Sequence, residues 1–232
     1  ENAKKVGANI IAFSDGGKIR EICLENNIEH RNVKKYHSPR ASFTSFLYSM
    51  LRVLKPILPI NELDILESLE KLEVVSKKIN SNNLSMTNPS IQISEWLDDF
   101  PIIYFPFGLQ SAAIRFKNAI QENAKTHAMV EDIIESSHNG IVGWNRENNF
   151  QPILLQGKDD VKTTKERWMI LKEFFKSKNI DYKEIMSEEG NILTKIICLI
   201  YVLDYSSIFL AIKLKVDPSP VVAIDFIKKR LN

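Results

Sequence analysis

Apolar positions along the chain fall into short runs and helically spaced stripes, and the two kinds alternate. Residues 8–13 (Ala-Asn-Ile-Ile-Ala-Phe) are an apolar run without clean alternation, closed by Ser14-Asp15-Gly16-Gly17. That pattern predicts a parallel strand covered on both faces, followed by a tight turn. Residues 18–26 read as an amphipathic helix and 28–33 as a second strand. Ser38 as N-cap and Pro39 at the first helical position predict a helix to about Leu54. Beyond a Pro-marked break at 56–61, residues 65–79 have helical spacing, the Asn- and Ser-rich stretch 80–88 is a loop, and 91–97 is a short helix. A further strand at 101–106 leads to a helix from Gly108 to about Ala124. Strand 152–156, helix 162–178 and strand 181–186 follow. Residues 191–214 form a long apolar helix, and 220–231 a closing one behind Asp217-Pro218-Ser219-Pro220. Strands alternating with helices make this an α/β chain with parallel sheets flanked by helices. Residues 1–6 read as the end of a helix running into a strand. The chain is therefore expected to open in mid-fold, with an N-terminal portion upstream.

Composition adds little to this picture but closes several directions. With 44% hydrophobic and 26% charged residues, the 232-residue chain has material for a real core. A net charge of +2 gives no bulk electrostatic case for nucleic acid. Cys23 and Cys198 lie far apart in apolar surroundings, with no CxxC or Cys/His cluster, which argues against structural zinc or a disulfide framework. A reducing, cytoplasmic compartment fits that usage. Asp204 interrupts the most apolar stretch, which reads as a buried helix rather than a membrane span.

Four segments carry candidate chemistry. On the helix through 108–124, Ala112, Phe116, Ala119 and Ile120 define a buried face, while Arg115, Asn118, Glu122 and Lys125 share the opposite one. A carboxylate among basic and amide neighbours can serve as a positioned general base. The same spacing also suits a solvated face with a Glu122–Lys125 pair of negligible value. His138-Asn139-Gly140 offers an imidazole that both gives and takes protons near neutrality, and equally a hydrogen-bonded loop histidine. Ser219 is placed to cap the last helix, with Lys228 two turns along it, in a cleft or in solvent. Arg40 falls in a helix's first turn, where the dipole disfavours a cation, a hint that it serves an anion.

Taken in order, these segments resemble one family. They are Ser14-Asp15-Gly16-Gly17, Pro39-Arg40-Ala41-Ser42, Ala113-Ile114-Arg115-Phe116-Lys117-Asn118 with Gln121-Glu122-Asn123-Ala124-Lys125, His138-Asn139 with Ile141-Val142-Gly143-Trp144, and Asp217-Pro218-Ser219-Pro220 with Ile224 and Lys228. Together they are similar to the bifunctional phosphoglucose/phosphomannose isomerases, which are built of sugar-isomerase (SIS) domains. The resemblance implies one partial and one complete SIS domain. Residues 1–55 would be the C-terminal part of the first, 56–90 a helical linker and 91–232 the second. It implies interconversion of glucose 6-phosphate and mannose 6-phosphate with fructose 6-phosphate through a cis-enediol, with no cofactor and no metal. Glu122 falls on the family's base, His138 on its ring-opening histidine, Arg40 on its active-site arginine and Lys228 on its active-site lysine. Arg115 and Ser219 fall beside them as substrate-binding candidates. The expected partners are the sugar phosphate and a second copy of the chain in a homodimer with shared active sites, the histidine entering from the partner. No nucleic acid and no membrane are expected. The family's Ser/Thr phosphate loop falls upstream of residue 1, so residues 1–232 alone are expected to be inactive. A non-catalytic sugar-phosphate-binding regulator is the alternative, as is a related domain linked to an aminotransferase.

Overall fold

A computed structural model describes residues 2–231 and separates them into two units, the first ending at Asn61 and the second beginning at Glu62. In the first unit, α1 (Asn2–Lys5) leads to β1 (Ile11–Ser14), α2 (Gly17–Glu25) and β2 (Glu29–Asn32). The two strands pair in parallel with Ile11 opposite Glu29. Gly16 and Gly17 both have positive φ, 118° and 65°, so the turn closing β1 needs glycines that carry no Cβ penalty. His30 Nε2 hydrogen-bonds Ser14 Oγ at 2.8 Å across this pair.

The expected helix from Pro39 to Leu54 is divided. Arg40–Ser42 is a 3₁₀ turn, and the α-helix, α3, is Phe43–Leu54. Ser38 Oγ accepts from the Ala41 N–H at 3.4 Å, so it caps the 3₁₀ turn and not α3. Ser42 explains the break. It is fully buried, its hydroxyl donates to the Ser38 carbonyl at 3.0 Å, and it accepts from the Tyr36 N–H at 3.0 Å. A side chain holding both flanking backbones fixes a tight turn where a regular helix would leave those groups unpaired.

The second unit holds a four-stranded parallel sheet in the order β4-β3-β5-β6, from β3 (Phe100–Phe105), β4 (Met129–Asp132), β5 (Phe150–Gln156) and β6 (Lys183–Met186). Its central strands β3 and β5 are almost wholly buried, as near-continuous apolar runs require. On one face Ile102, Tyr104 and Leu154 pack with Trp168, Leu171 and Phe175 of α8 (Lys162–Ser177), and with Ile133 and Trp144 from the β4–β5 connection. That connection contains α7 (Ile133–Ser136) and a 3₁₀ turn at Gly140–Asn145. Towards the other face lies α6 (Gln110–Ala119), which packs on β3 and β4.

The apolar helix α9 (Ile192–Lys213) packs on α6 and on two earlier helices, α4 (Glu62–Ile79) and α5 (Pro89–Trp96). By length and composition α9 alone among the described helices could cross a membrane. Here Leu193, Ile197, Cys198, Ile200, Leu203 and Leu210 are buried in this layer. Burial pushes the Cys198 thiol up to about 12, so it behaves as a small hydrophobe. Asn88 sets the start of α5. It is fully buried, its side-chain oxygen accepts from Ser90 N at 2.9 Å, and its amide donates to the Ile79 and Asn83 carbonyls. The last helix, α10, is Val222–Leu231, and none of its side chains is buried. It starts three residues past Ser219, which therefore does not cap it. The Ser219 N–H instead closes a turn on Asp217 Oδ1 at 2.8 Å.

Candidate active site

Glu122 does not lie on a regular helix. The α-helical bonding of α6 ends at Ala119, and residues Ile120–Ala124 form a π-helical turn. Lys125 ends it in the left-handed region at φ 58°. The expected common face of Arg115, Asn118, Glu122 and Lys125 is therefore interrupted, because a π turn advances the side chains by a different angle and Lys125 lies outside the helix. Such turns are rare and recur at functional sites. Glu122 is half-buried, between buried Ile120 and buried Asn123.

The side chains of Arg115, Asn123 and Lys125 hold this region. Arg115 engages Asp204 of α9 in a forked pair, Nε to the two carboxylate oxygens at 3.1 and 3.0 Å and Nη2 to Oδ2 at 2.6 Å. Asn123 Nδ2 donates to Ser207 Oγ of α9 at 2.8 Å. Lys125 Nζ donates to the Glu122 carbonyl and, at 3.3 Å, to the Pro218 carbonyl. The last contact brings the turn carrying Glu122 next to the Asp217–Ser219 loop. Burial pushes the Asp204 carboxyl up and Arg115 pulls it back, with burial prevailing.

His138 follows α7 and is exposed, its N–H donating to the Glu135 carbonyl at 3.0 Å. The segment after it is anchored by Trp144, whose Nε1 donates to Tyr104 Oη at 2.9 Å inside the core. Burial pushes the Tyr104 phenol above its ordinary range. Beside this pair lies Glu131 of β4, a residue the sequence did not single out. Among the described residues its Oε2 is buried without a hydrogen-bond partner, and burial pushes its carboxyl up. A Cβ at position 140 would collide with that oxygen, so glycine there admits the carboxylate. Glu131 stands in a short edge strand that gave no periodic signal, so nothing in the sequence pointed to it.

Lys228 lies exposed on α10, Ser219 lies in the loop beside Lys125, and Arg40 belongs to the first unit, in its 3₁₀ turn. The second unit thus brings the backbone of Glu122 together with Lys125 and the Asp217–Ser219 loop, with Arg115 earlier on α6, while His138 and Lys228 stand on separate segments. Among the described residues no group of three His, Cys, Asp or Glu side chains gathers as a metal site would require.

A four-stranded parallel sheet flanked by helices, with the π turn that carries Glu122 at the end of α6, defines an α/β domain. Its fold matches a glucose-6-phosphate isomerase like protein of Thermus thermophilus with a TM-score of 0.66, at 14% identity, covering 91% of this chain and 76% of that one. It also matches tagatose-6-phosphate ketose/aldose isomerase of Escherichia coli with a TM-score of 0.61, at 14% identity, covering 91% and 62%. Residues 86–231 match the bacterial phospho-glucose isomerase C-terminal SIS domain, and the chain belongs to that family. Two relatives named bifunctional phosphoglucose/phosphomannose isomerase align over the whole chain and 70% of their own length. One, from Caldicellulosiruptor bescii, is 28% identical, and the other, from Aquifex aeolicus, is 26% identical.

Proposed function

We propose that this chain is part of a sugar-phosphate isomerase that interconverts glucose 6-phosphate and mannose 6-phosphate with fructose 6-phosphate through a cis-enediol. The observation that carries the reading is Glu122. It is a half-buried carboxylate at a π-helical turn braced from two sides, within the residues that belong to the phospho-glucose isomerase C-terminal family.

The reaction moves a proton between two adjacent carbons of the open-chain sugar. The carbon-bound proton next to the carbonyl is weakly acidic, so a carboxylate must take it and return it from one face. Glu122 has that chemistry. Negative charge then develops on the two oxygens of the enediol, and Arg40 is the cation assigned to stabilise it. The substrate is a closed ring in solution. His138 and Lys228 are assigned to the proton transfers that open it, since imidazole exchanges protons near neutrality. Glucose and mannose 6-phosphates differ only at the carbon that becomes planar in the enediol, so one intermediate serves both. Ser219, beside Lys125, and Arg115 are assigned to binding. Arg115 is already held in its fork on Asp204 and would have to give up part of that pair to reach the sugar, which makes its binding role secondary to its bracing one. Two copies of the chain would share the sites, with His138 supplied across the interface. A regulator would bind the sugar phosphate without needing a held base, and the bracing of Glu122 favours the enzyme.

The test is a coupled assay for fructose 6-phosphate formed from each aldose by the intact enzyme and by Glu122→Gln. The substitution is expected to lower turnover by about 10²–10⁴-fold and leave sugar-phosphate binding in place. Near-native turnover by Glu122→Gln would remove Glu122 from the mechanism.

A further inference from the structure

Helix α9 contains two adjacent buried serines that are bonded differently. Ser206 Oγ donates to the Val202 carbonyl at 2.8 Å within its own helix, the ordinary way a helical serine is satisfied. Ser207 Oγ donates likewise to the Asp204 carbonyl at 2.6 Å, and in addition accepts from Asn123 Nδ2 at 2.8 Å. A hydroxyl has a single proton. Because Ser207 places its proton on Asp204, its lone pair faces the amide, which fixes the Asn123 side chain with Nδ2 towards α9. Both groups are shielded from water, Ser207 being 0% and Asn123 8% exposed. Asp204 thus receives both restraints on the neighbouring helix. Its carbonyl takes Ser207, and through it Asn123, while its carboxylate takes Arg115.

Ser206 is satisfied within α9 alone, so the bond to Asn123 lies outside the helix's own bonding. What the bond restrains is the π-helical turn, a backbone form that persists only where its surroundings hold it. Asn123 is the residue next to Glu122 in that turn. We infer that Asn123 and Ser207 are positioning residues for Glu122, holding the π turn so that the carboxylate meets both reacting carbons from one side. This rests on Glu122 being the base. A base that must reach two neighbouring carbons in one turnover tolerates little displacement, and a shift of about 1 Å costs on the order of 10²-fold.

The experiment compares Asn123→Ala, Ser207→Ala, the double variant, and the near-isosteric Ser207→Cys, whose sulfur is a weak acceptor, in the intact enzyme. Ser206→Ala is the control for loss of a buried serine hydroxyl from α9, and Glu122→Gln reports on the base. For each, kcat, KM and melting temperature are measured. The expected result is a fall in kcat of about 10–100-fold for Asn123→Ala, Ser207→Ala and Ser207→Cys, with KM within about twofold. The double variant should be no worse than the weaker single, because the two side chains act as one unit. Ser206→Ala should keep its kcat, and it should lose less melting temperature than Ser207→Ala, which also leaves the buried Asn123 amide without its acceptor. If Ser207→Ala and Ser207→Cys turn over like Ser206→Ala while Glu122→Gln is inactive, the positioning role is wrong and the base stands. If Glu122→Gln itself turns over, the base assignment falls and the positioning role falls with it.

Discussion

Replacing Arg115 by Met should destabilise the second unit in a way that depends on pH. The substitution keeps the length and packing of the side chain but removes the counter-charge from Asp204. Breaking a fully buried ion pair from one side costs about 3–5 kcal/mol, because the remaining charge is left without compensation. Here the two side chains keep 23% and 21% of their exposure, so water relieves part of that cost and about 2–3 kcal/mol is expected. For a unit of this size each kcal/mol lowers the melting temperature by about 2–4 °C, giving a fall of about 4–12 °C. The Asp204 carboxyl is already raised by burial despite Arg115. The folded state therefore holds its proton to higher pH than the unfolded state does, and stability falls as pH rises from the ordinary carboxylate range through the folded value. Without Arg115 the folded value rises further. The deficit of Arg115→Met should be largest at neutral pH and above, and should shrink as pH falls towards the ordinary carboxylate range, where the raised Asp204 carboxyl takes up its proton. Thermal unfolding across that range is the assay. The double variant Arg115→Met/Asp204→Leu should recover most of the loss, since the buried charge is gone. A deficit below about 1 kcal/mol, or one that stays constant with pH and is not rescued by Asp204→Leu, would refute the reasoning.

Gly140→Ala should destabilise the segment behind His138 by about 1–3 kcal/mol, since its Cβ meets the Glu131 carboxylate, and the effect should largely vanish in a Glu131→Ala background when both are measured by chemical denaturation. Glu131→Gln should raise the melting temperature at neutral pH and converge with the native protein in acid, because burial raises the native carboxyl and its ionisation costs stability as pH rises; a difference that persists in acid would contradict this. Asn88→Ala should cost about 2–4 kcal/mol in denaturant unfolding, from a lost N-cap and two unpaired carbonyls. His138→Ala should slow turnover of the cyclic sugar more than that of an open-chain analogue, and equal losses on both would count against a ring-opening role.

The elements with strong periodicity were legible from the residues alone. The spans read for α8 and α9 agree with the observed Lys162–Ser177 and Ile192–Lys213 to within about a residue, because a long apolar stripe leaves one way to bury it. Strand β4 was not read at all. It is a short edge strand ending in Glu131 and Asp132, and its pairing with β3 supplies what its composition does not. The helix bearing Glu122 was legible as a helix but not as a π turn, because nothing in the local spacing reveals the hydrogen bond from Asn123 to a serine far along the chain. Asp204 was visible as a charge interrupting an apolar run. Its partner was not, since Arg115 meets it only once α6 lies across α9. The break at Ser42 has the same origin, because a buried hydroxyl joining Ser38 and Tyr36 is a property of the fold and not of the helix signals.

Turnover of glucose 6-phosphate in D₂O by the intact enzyme, followed by NMR, tests the central claim most directly, because it reports both the isomerisation and the fate of the transferred proton. The account predicts that fructose 6-phosphate appears with deuterium at the carbon that receives the proton, and that Glu122→Gln, still binding the sugar phosphate, yields neither product nor label. Product and label from Glu122→Gln at rates near those of the native enzyme would contradict it.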